Sequence, residues 1–271
     1  MTLDRDLIEN TALYDMLVRI GDESVDVVVY SAMSDGSLTY RSYAVAEKMG
    51  LVRALEEVVY DNPLMLREFR RVYMLIDTPR YAMMPAGLDE AAIATAYTAM
   101  YPDVSRNAVR HALTGTRNAV VAYSAEPELE GFIGRTFTGA TLLPHMAPLV
   151  RYLASKAGRG NTRRMICNLR RNSMDVVVLD GSNLLQGNTF RFRNEADAVY
   201  YILASRVANG LDPLADELLL AGDTGVRDRI TPLLRTYVAR VMPAIFPPQM
   251  FSAGKDAMQA PFDLIVTPLC E

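Results

Sequence analysis

The chain contains few of the residues from which disulfide frameworks and metal centres are built. Its 271 residues include two cysteines, two histidines and no tryptophan. Cys167 lies in an apolar run typical of a buried strand, so we expect no disulfide framework, which suits a reducing cytoplasm. Neither His111 nor His145 has a second ligand at metal spacing, which favours a structural or surface role for both.

Long apolar runs and excess positive charge are also absent. No stretch approaches the roughly 18 uninterrupted apolar residues of a membrane-spanning helix, and residues 1–10 carry acidic side chains rather than the apolar core of a signal peptide. The net charge of −4 argues against a protein that coats nucleic acid, because neutralising phosphates requires clustered Lys and Arg. We therefore predict a cytoplasmic protein without a transmembrane segment or a clear nucleic-acid site.

Two common catalytic motifs are missing as well. The lysines, at positions 48, 156 and 255, all lie outside a Gly-x-x-x-x-Gly-Lys-[Ser/Thr] arrangement, so the chain has no conventional P-loop. No Gly-x-Ser-x-Gly elbow occurs, and Asp180-Gly181-Ser182-Asn183 is typical of a hairpin turn rather than of a nucleophile. We predict no hydrolase triad.

Material for a core is abundant, because half of the residues are apolar and 22% are charged. The length favours two lobes of ordinary size. In the first half, alternation and helical spacing predict strands at 15–20, 25–32, 38–45, 72–76, 119–123 and 141–143, and helices at 46–60, 89–100, 129–137 and 147–157. In the second half they predict strands at 165–169, 175–179, 184–192, 218–220, 240–242 and 264–266, and helices at 194–209 and 227–237.

The two halves repeat one pattern. Asp26-Val27-Val28-Val29 and Asp175-Val176-Val177-Val178 are 149 positions apart, and the same offset places Val45 on Asn194, where each following helix is expected to begin. A duplicated strand-strand-strand-helix-strand unit is the simplest explanation. Gly158-Arg159-Gly160-Asn161 interrupts the pattern, so we predict a first lobe at 1–158 and a second at 159–271.

This layout resembles a bacterial family of uncharacterised proteins with an actin-like ATPase fold, related in fold to pilus-assembly and secretion adaptors. The segments that carry the resemblance span most of the chain: 16–20, 27–30, 72–75, 84–85, 142–145, 168, 175–179, 198–203 and 218–222. The resemblance implies an α/β protein of two lobes, each a ribonuclease H-like βββαβα unit.

Active members of the wider fold hold phosphates with two hairpin turns, each led by an Asp that organises magnesium and lined by glycines. In this chain Arg19 stands where the first Asp is expected, and Asn168 stands at the second, before a turn without glycine. A guanidinium repels magnesium, by roughly 4 kcal/mol per unit-charge pair at ~4 Å and an effective dielectric constant of ~20. The resemblance therefore implies a degenerate ATPase site with no catalytic residue and no bound metal.

A third element, Ala221-Gly222-Asp223-Thr224-Gly225, is similar to the turn that contacts adenosine in this fold, although a plain loop between strand and helix is the simpler explanation. If a nucleotide or phosphate binds, we expect it at Arg19, Gly21, Asp22, Asn168, Arg170, Arg171, Gly222 and Thr224. The arginines that converge there would need a counter-charge, supplied by a phosphate, an acidic peptide or a neighbouring carboxylate, or internally by Asp22 and Glu23.

The sequence leads to a non-catalytic actin-like scaffold or adaptor that binds a protein partner and needs no cofactor. The alternative is an ATP-binding protein or weak ATPase in which Asp22, Glu23 or Asp175 contacts the metal from shifted positions. The arginine-rich segment at positions 159, 163, 164, 170 and 171 is open to three interpretations: a solvated face, an anion site, or a patch for an acidic partner.

Overall fold

A computed structural model describes residues 10–31, 38–156, 163–245 and 258–269. Their strands are β1 (Asp15–Ile20), β2 (Ser24–Tyr30), β3 (Leu38–Ala44), β4 (Arg71–Ile76), β5 (Tyr81–Pro85), β6 (Val109–Leu113), β7 (Ala119–Ser124), β8 (Thr141–Pro144), β9 (Arg163–Leu169), β10 (Ser173–Asp180), β11 (Asn183–Arg191), β12 (Glu217–Gly222) and β13 (Val241–Pro243). Their helices are α1 (Leu51–Asp61), α2 (Glu90–Met100), α3 (Pro127–Thr136), α4 (Met146–Ser155), α5 (Glu195–Ala208), α6 (Thr224–Leu234) and α7 (Phe262–Val266).

Two five-stranded sheets have the same strand order. The first runs β3-β2-β1-β4-β8 and the second runs β11-β10-β9-β12-β13. In each sheet the first three strands along the chain pair antiparallel, and the last two run parallel to the strands beside them. The duplication predicted from the sequence is therefore confirmed.

Residue pairing preserves the offset of 149. Arg19 lies opposite Asp26 in the first sheet, and Asn168 lies opposite Asp175 in the second. The turns that follow are closed by equivalent backbone bonds, from Gly21 N to Ser24 O at 3.0 Å and from Arg170 N to Ser173 O at 2.8 Å. The two hairpin turns therefore occupy equivalent places at the same end of their sheets.

The first lobe carries an insertion that the second lacks. Between β4 and β8 the chain forms α2 and a three-stranded antiparallel sheet of order β5-β7-β6. The sequence predicted α2 and β7 but neither β5 nor β6, whose short runs include Met, Pro, His and Arg and do not alternate regularly. This sheet has its own small core around Ile93, Tyr97 and Ala122.

Three predicted elements differ from the structure. The strand expected at 264–266 is wrong: these residues belong to α7, because a short, fully apolar run is compatible with either a buried strand or a buried helix. Helix α1 begins at Leu51 rather than at position 46, after the extended Gly50. Helix α6 begins at Thr224, three residues before the predicted start at 227. The Asp223 side chain caps the helix by accepting a hydrogen bond from Val226 N.

Helix α4 lies at the centre of the molecule and is buried over most of its length. It packs against β10, β11 and α7, and one core joins it to both large sheets. The opposite face of the second sheet is covered by α5 and α6, and α7 packs Leu264 and Ile265 on the first sheet. In the described ranges no helix is long and apolar enough to cross a membrane. The boundary predicted at 158/159 lies outside the described residues.

Candidate functional site

The first hairpin turn leads to a buried arginine surrounded by carboxylates. Arg19, on β1, places Nη2 at 2.6 Å from Asp77 Oδ2, Nε at 3.0 Å from Asp263 Oδ2 and Nη1 at 3.5 Å from Asp26 Oδ2. Asp26 also accepts a hydrogen bond from Tyr40 Oη at 2.9 Å. Because α7 carries Asp263 to this point, the C-terminal part of the chain completes the surroundings of Arg19.

In the second lobe the position equivalent to Asp26 also carries a buried aspartate. Asp175, on β10, is fully buried and forms an ion pair with Arg170. Thr189 Oγ1 donates to Asp175 Oδ1 at 2.7 Å, and His145 Nε2 lies 3.2 Å from the same oxygen. Asn168 Nδ2 donates to Asp175 Oδ2 at 3.4 Å, so four side chains hold this carboxylate in place.

Asp77 connects the two halves. It follows β4, and its Oδ1 lies 3.6 Å from Arg170 Nη1 and 3.5 Å from His145 Nδ1. The contacts of Asp77 with Arg170 and of His145 with Asp175 both join one lobe to the other. We call this set the inter-lobe charge cluster; its members are Arg19, Asp26, Asp77, His145, Arg170, Asp175 and Asp263.

The charges in this cluster determine its protonation states. Burial by itself raises the pKa of Asp175, but Arg170 and His145 outweigh it and hold that pKa well below its usual range. Burial opposes protonation of His145, yet Asp175 and Asp77 raise the pKa of its imidazole above the ordinary value. Burial by itself also raises the pKa of Asp77, but Arg19 and, to a smaller extent, Arg170 outweigh it and lower that pKa. With His145 protonated, three positive groups face four carboxylates.

A cavity of about 230 Å³ opens beside the cluster. Of the eight residues predicted to contact a phosphate or nucleotide, Arg19, Gly21, Asp22 and Arg170 line it. Glu23, the expected internal counter-charge together with Asp22, lies on the same wall. The carboxylates that pair with Arg19 are those of Asp26 on β2, Asp77 directly after β4 and Asp263 on α7.

The other four predicted residues lie elsewhere. Asn168 is buried behind the cavity against Asp175, and Arg171 is exposed in the second turn. Gly222 has φ +83°, and a Cβ there would lie 2.0 Å from Leu169 O, so its backbone conformation and the adjacent strand require glycine. Thr224 is exposed at the start of α6. The cavity is therefore lined by the first predicted turn and by part of the second, and the predicted residues of the third turn lie elsewhere.

Sequence reasoning missed the role of four cluster residues: Asp26, Asp77, His145 and Asp263. A signal existed for one of them, since Asp26 interrupts a Val-rich strand at the same offset as Asp175, and a charged residue in a buried strand requires a partner. Nothing local to Asp77 or Asp263 indicates that both contact one arginine. Among the described residues no group of three or more His, Cys, Asp or Glu side chains is arranged to hold a metal ion.

Two members of the arginine-rich segment besides Arg170 form internal pairs. Arg163 Nε lies 3.1 Å from Asp180 Oδ2, and Arg164 Nε lies 3.1 Å from Glu217 Oε2. Arg159 lies outside the described residues. The described part of the segment is therefore largely neutralised within the chain and offers little free positive charge.

Comparisons with known proteins agree with this architecture. The model of a family described as "Protein of unknown function (DUF3822)" matches residues 4–241. A solved structure from Bacteroides thetaiotaomicron, described as a protein with an actin-like ATPase fold and unknown function, is similar with a TM-score of 0.75 and 18% identity. It covers 89% of this chain and 95% of its own. No curated protein matches the sequence.

A second solved structure is a PilM–PilN complex of type IV pilus biogenesis. It is similar with a TM-score of 0.52 and 15% identity, over 96% of this chain and 98% of the matched chain. At these identities the likeness concerns the fold alone. The chain has an actin-like ATPase fold, as the sequence predicted.

Proposed function

The chain belongs to the DUF3822 family of proteins of unknown function, and we propose that it is a non-catalytic actin-like scaffold that binds a protein partner. The observation that carries this proposal is the arrangement around Arg19. A guanidinium occupies the position at which active members of the fold place a metal-organising aspartate, and three carboxylates neutralise it.

Electrostatics oppose a metal–nucleotide complex at this point. A magnesium ion near Arg19 would meet a repulsion of roughly 4 kcal/mol per unit-charge pair at ~4 Å and an effective dielectric constant of ~20. Turning the carboxylates of Asp77 and Asp263 toward the metal would leave Arg19 buried without a partner. Breaking a buried pair in this way costs about 3–5 kcal/mol.

The lobes are also joined by direct contacts. Ion pairs between Asp77 and Arg170 and between His145 and Asp175 cross from one lobe to the other, and α4 is shared by both in one core. A molecule whose lobes are already joined suits a scaffold better than an enzyme that opens and closes around a nucleotide. The PilM–PilN complex provides a fold-level analogy, since a protein of similar architecture binds another protein there.

A nucleotide-binding test separates this proposal from the ATPase alternative. In a thermal melt we expect Mg-ATP to leave the melting temperature unchanged, whereas a ligand at 100 times its Kd would add ~2.7 kcal/mol and shift it by several degrees. A magnesium-dependent shift that is lost in Asp22→Ala but kept in Asp61→Ala would overturn the proposal. Asp22 lines the cavity, whereas Asp61 lies at the exposed end of α1.

A second experiment tests for the partner. The tagged chain, expressed at its native level in the source bacterium and captured after mild crosslinking, should recover one other protein in a constant ratio. That ratio should not change when Mg-ATP is added or removed. Recovery of the chain alone, or together with bound nucleotide, would contradict the scaffold.

A further inference from the structure

A groove separates the inserted sheet from the second lobe. One wall is β5, the outer strand of the three-stranded sheet, and the other is β11, the outer strand of the second large sheet. The cavity between them measures about 780 Å³, within the range of ligand sites in proteins. We call it the edge-strand groove.

Strand β11 presents unpaired backbone groups to this groove. Phe192 N donates to Asn172 O at 3.0 Å, just beyond the last pair of β10 and β11. Since inward-bonded and outward-facing residues alternate in an antiparallel pair, Gly187, Thr189 and Arg191 point their N–H and C=O groups away from β10. No hydrogen bond from elsewhere in the described chain reaches these backbone groups.

The same edge already accepts a peptide-like group at one end of the groove. Asn118 Nδ2 donates to Leu184 O at 2.9 Å, and Leu184 N donates to Asn118 Oδ1 at 2.8 Å. A side-chain carboxamide thus forms the paired donor and acceptor contacts that a neighbouring strand would make. This contact lies beyond the shift in strand register between Val178 and Leu179. It leaves open the outward-facing backbone groups of Gly187, Thr189 and Arg191.

The opposite wall is apolar and adaptable. Met83, Met84 and Met100 line it, and unbranched methionine side chains adjust to different occupants. A Cβ on Gly187 would lie 2.2 Å from Met83 Cε, so the methionine rests directly on the bare backbone of β11. Strand β5 is the poorer pairing edge, because Pro85 lacks an N–H and the Tyr81 carbonyl accepts a bond from Tyr101 Oη at 3.2 Å.

The charge that lines the groove is of one sign, positive. Arg191 is the single charged residue among those that line it, and no described lining residue is acidic. Arg191 is exposed and closes the end opposite Asn118. An occupant that complements these walls is extended and apolar, with a carboxylate at the end that meets the guanidinium.

We infer that the edge-strand groove binds an extended apolar segment of the partner protein, which adds to β11 as an extra strand and places a carboxylate on Arg191. Main-chain pairing supplies affinity in such strand addition, and the side-chain pockets supply selectivity. This inference rests on the proposed scaffold function, because it names where and how the partner docks.

The test uses a displayed library of random linear 12-residue peptides, selected on the purified chain. We expect the selected peptides to share alternating aliphatic positions and an Asp or Glu near one end. Arg191→Glu should weaken their binding about tenfold, corresponding to ~1.4 kcal/mol, whereas the control Arg193→Glu, two residues beyond in an exposed position, should change it less than about twofold. Methylating every second amide nitrogen of a peptide, at the positions whose N–H faces β11, should weaken its binding at least about tenfold.

Three results would overturn the inference. The library could yield no binder; or binders could be indifferent to Arg191→Glu and to N-methylation in either phase, which places them elsewhere. Sedimentation could also show a concentration-dependent dimer that Arg191→Glu abolishes, which makes a second copy the occupant. None of these outcomes affects the nucleotide melt or the crosslinked capture, so failure of the groove and failure of the scaffold remain distinguishable.

Discussion

Arg19→Met tests whether the inter-lobe charge cluster holds the molecule together. Methionine keeps an unbranched side chain in the same space but removes the guanidinium. The variant leaves Asp26, Asp77 and Asp263 facing one another, and Asp26 and Asp263 are 3% and 0% exposed. Removing one partner of a buried ion pair costs about 3–5 kcal/mol. Against a total stability of about 5–15 kcal/mol, that is a large fraction.

An exposed arginine provides the matched control. Arg53 Nε lies 3.2 Å from Glu57 Oε1, but the two side chains are 75% and 52% exposed. Exposed pairs of this kind contribute about 0.2–1 kcal/mol, so Arg53→Met should be nearly neutral. The difference between the two variants isolates the effect of burial and of the three carboxylates.

The assay is urea denaturation followed by circular dichroism and tyrosine fluorescence, since the chain has 14 tyrosines and no tryptophan. At pH 7 we expect Arg19→Met to lower the unfolding free energy by about 3–5 kcal/mol. The loss should shrink as the pH is lowered, because Asp77, whose pKa Arg19 helps to lower, can then take up a proton. Adding Asp263→Asn to the Arg19→Met chain should recover part of the lost unfolding free energy.

Two results would refute the reasoning. One is a loss for Arg19→Met within about 1 kcal/mol of that for Arg53→Met. The other is a double variant, Arg19→Met with Asp263→Asn, that is less stable than the single one. If the single variant does not fold, the double variant still decides, because relieving carboxylate repulsion should restore measurable folding.

The remaining predictions concern a histidine, a glycine and a cysteine. His145 has a raised pKa, so its stabilising contribution is complete below the unfolded value of about 6.5 and is lost as the pH rises through the folded value. The resulting fall in unfolding free energy should be retained in His111→Asn and absent in His145→Asn. The imidazole signal of His145 in NMR should report its titration directly. Gly222→Ala should lower the unfolding free energy by about 2 kcal/mol or more, because a Cβ there would lie 2.0 Å from Leu169 O. Gly87→Ala, at φ +90° in open space, should lower it by about 1 kcal/mol. Equal losses of unfolding free energy in the two variants would contradict the close approach at Gly222. Burial raises the pKa of the Cys167 thiol, so alkylation read by peptide mass spectrometry should be slow in native protein and fast in denaturant.

Local patterns were sufficient for the two large sheets. Val-rich segments at matching spacing predict strands with little ambiguity, and the spacing from Asp26 to Asp175 is reproduced as a residue-to-residue register. The absence of an aspartate at position 19 could also be seen without a structure. The insertion was harder, because β5 and β6 are short strands of mixed composition whose stability comes from pairing with β7.

What the sequence determined by itself is the duplicated fold and the presence of an arginine at position 19, because the first depends on periodicity and the second on residue identity. What only the tertiary structure decided is the set of partners. Arg19 meets Asp77 and Asp263 across sequence separations of 58 and 244 residues, and the edge-strand groove exists because an insertion in one lobe lies beside β11 of the other. Periodicity states which face of an element is buried, but not which distant group will neutralise a charge on it, since that depends on how whole elements pack.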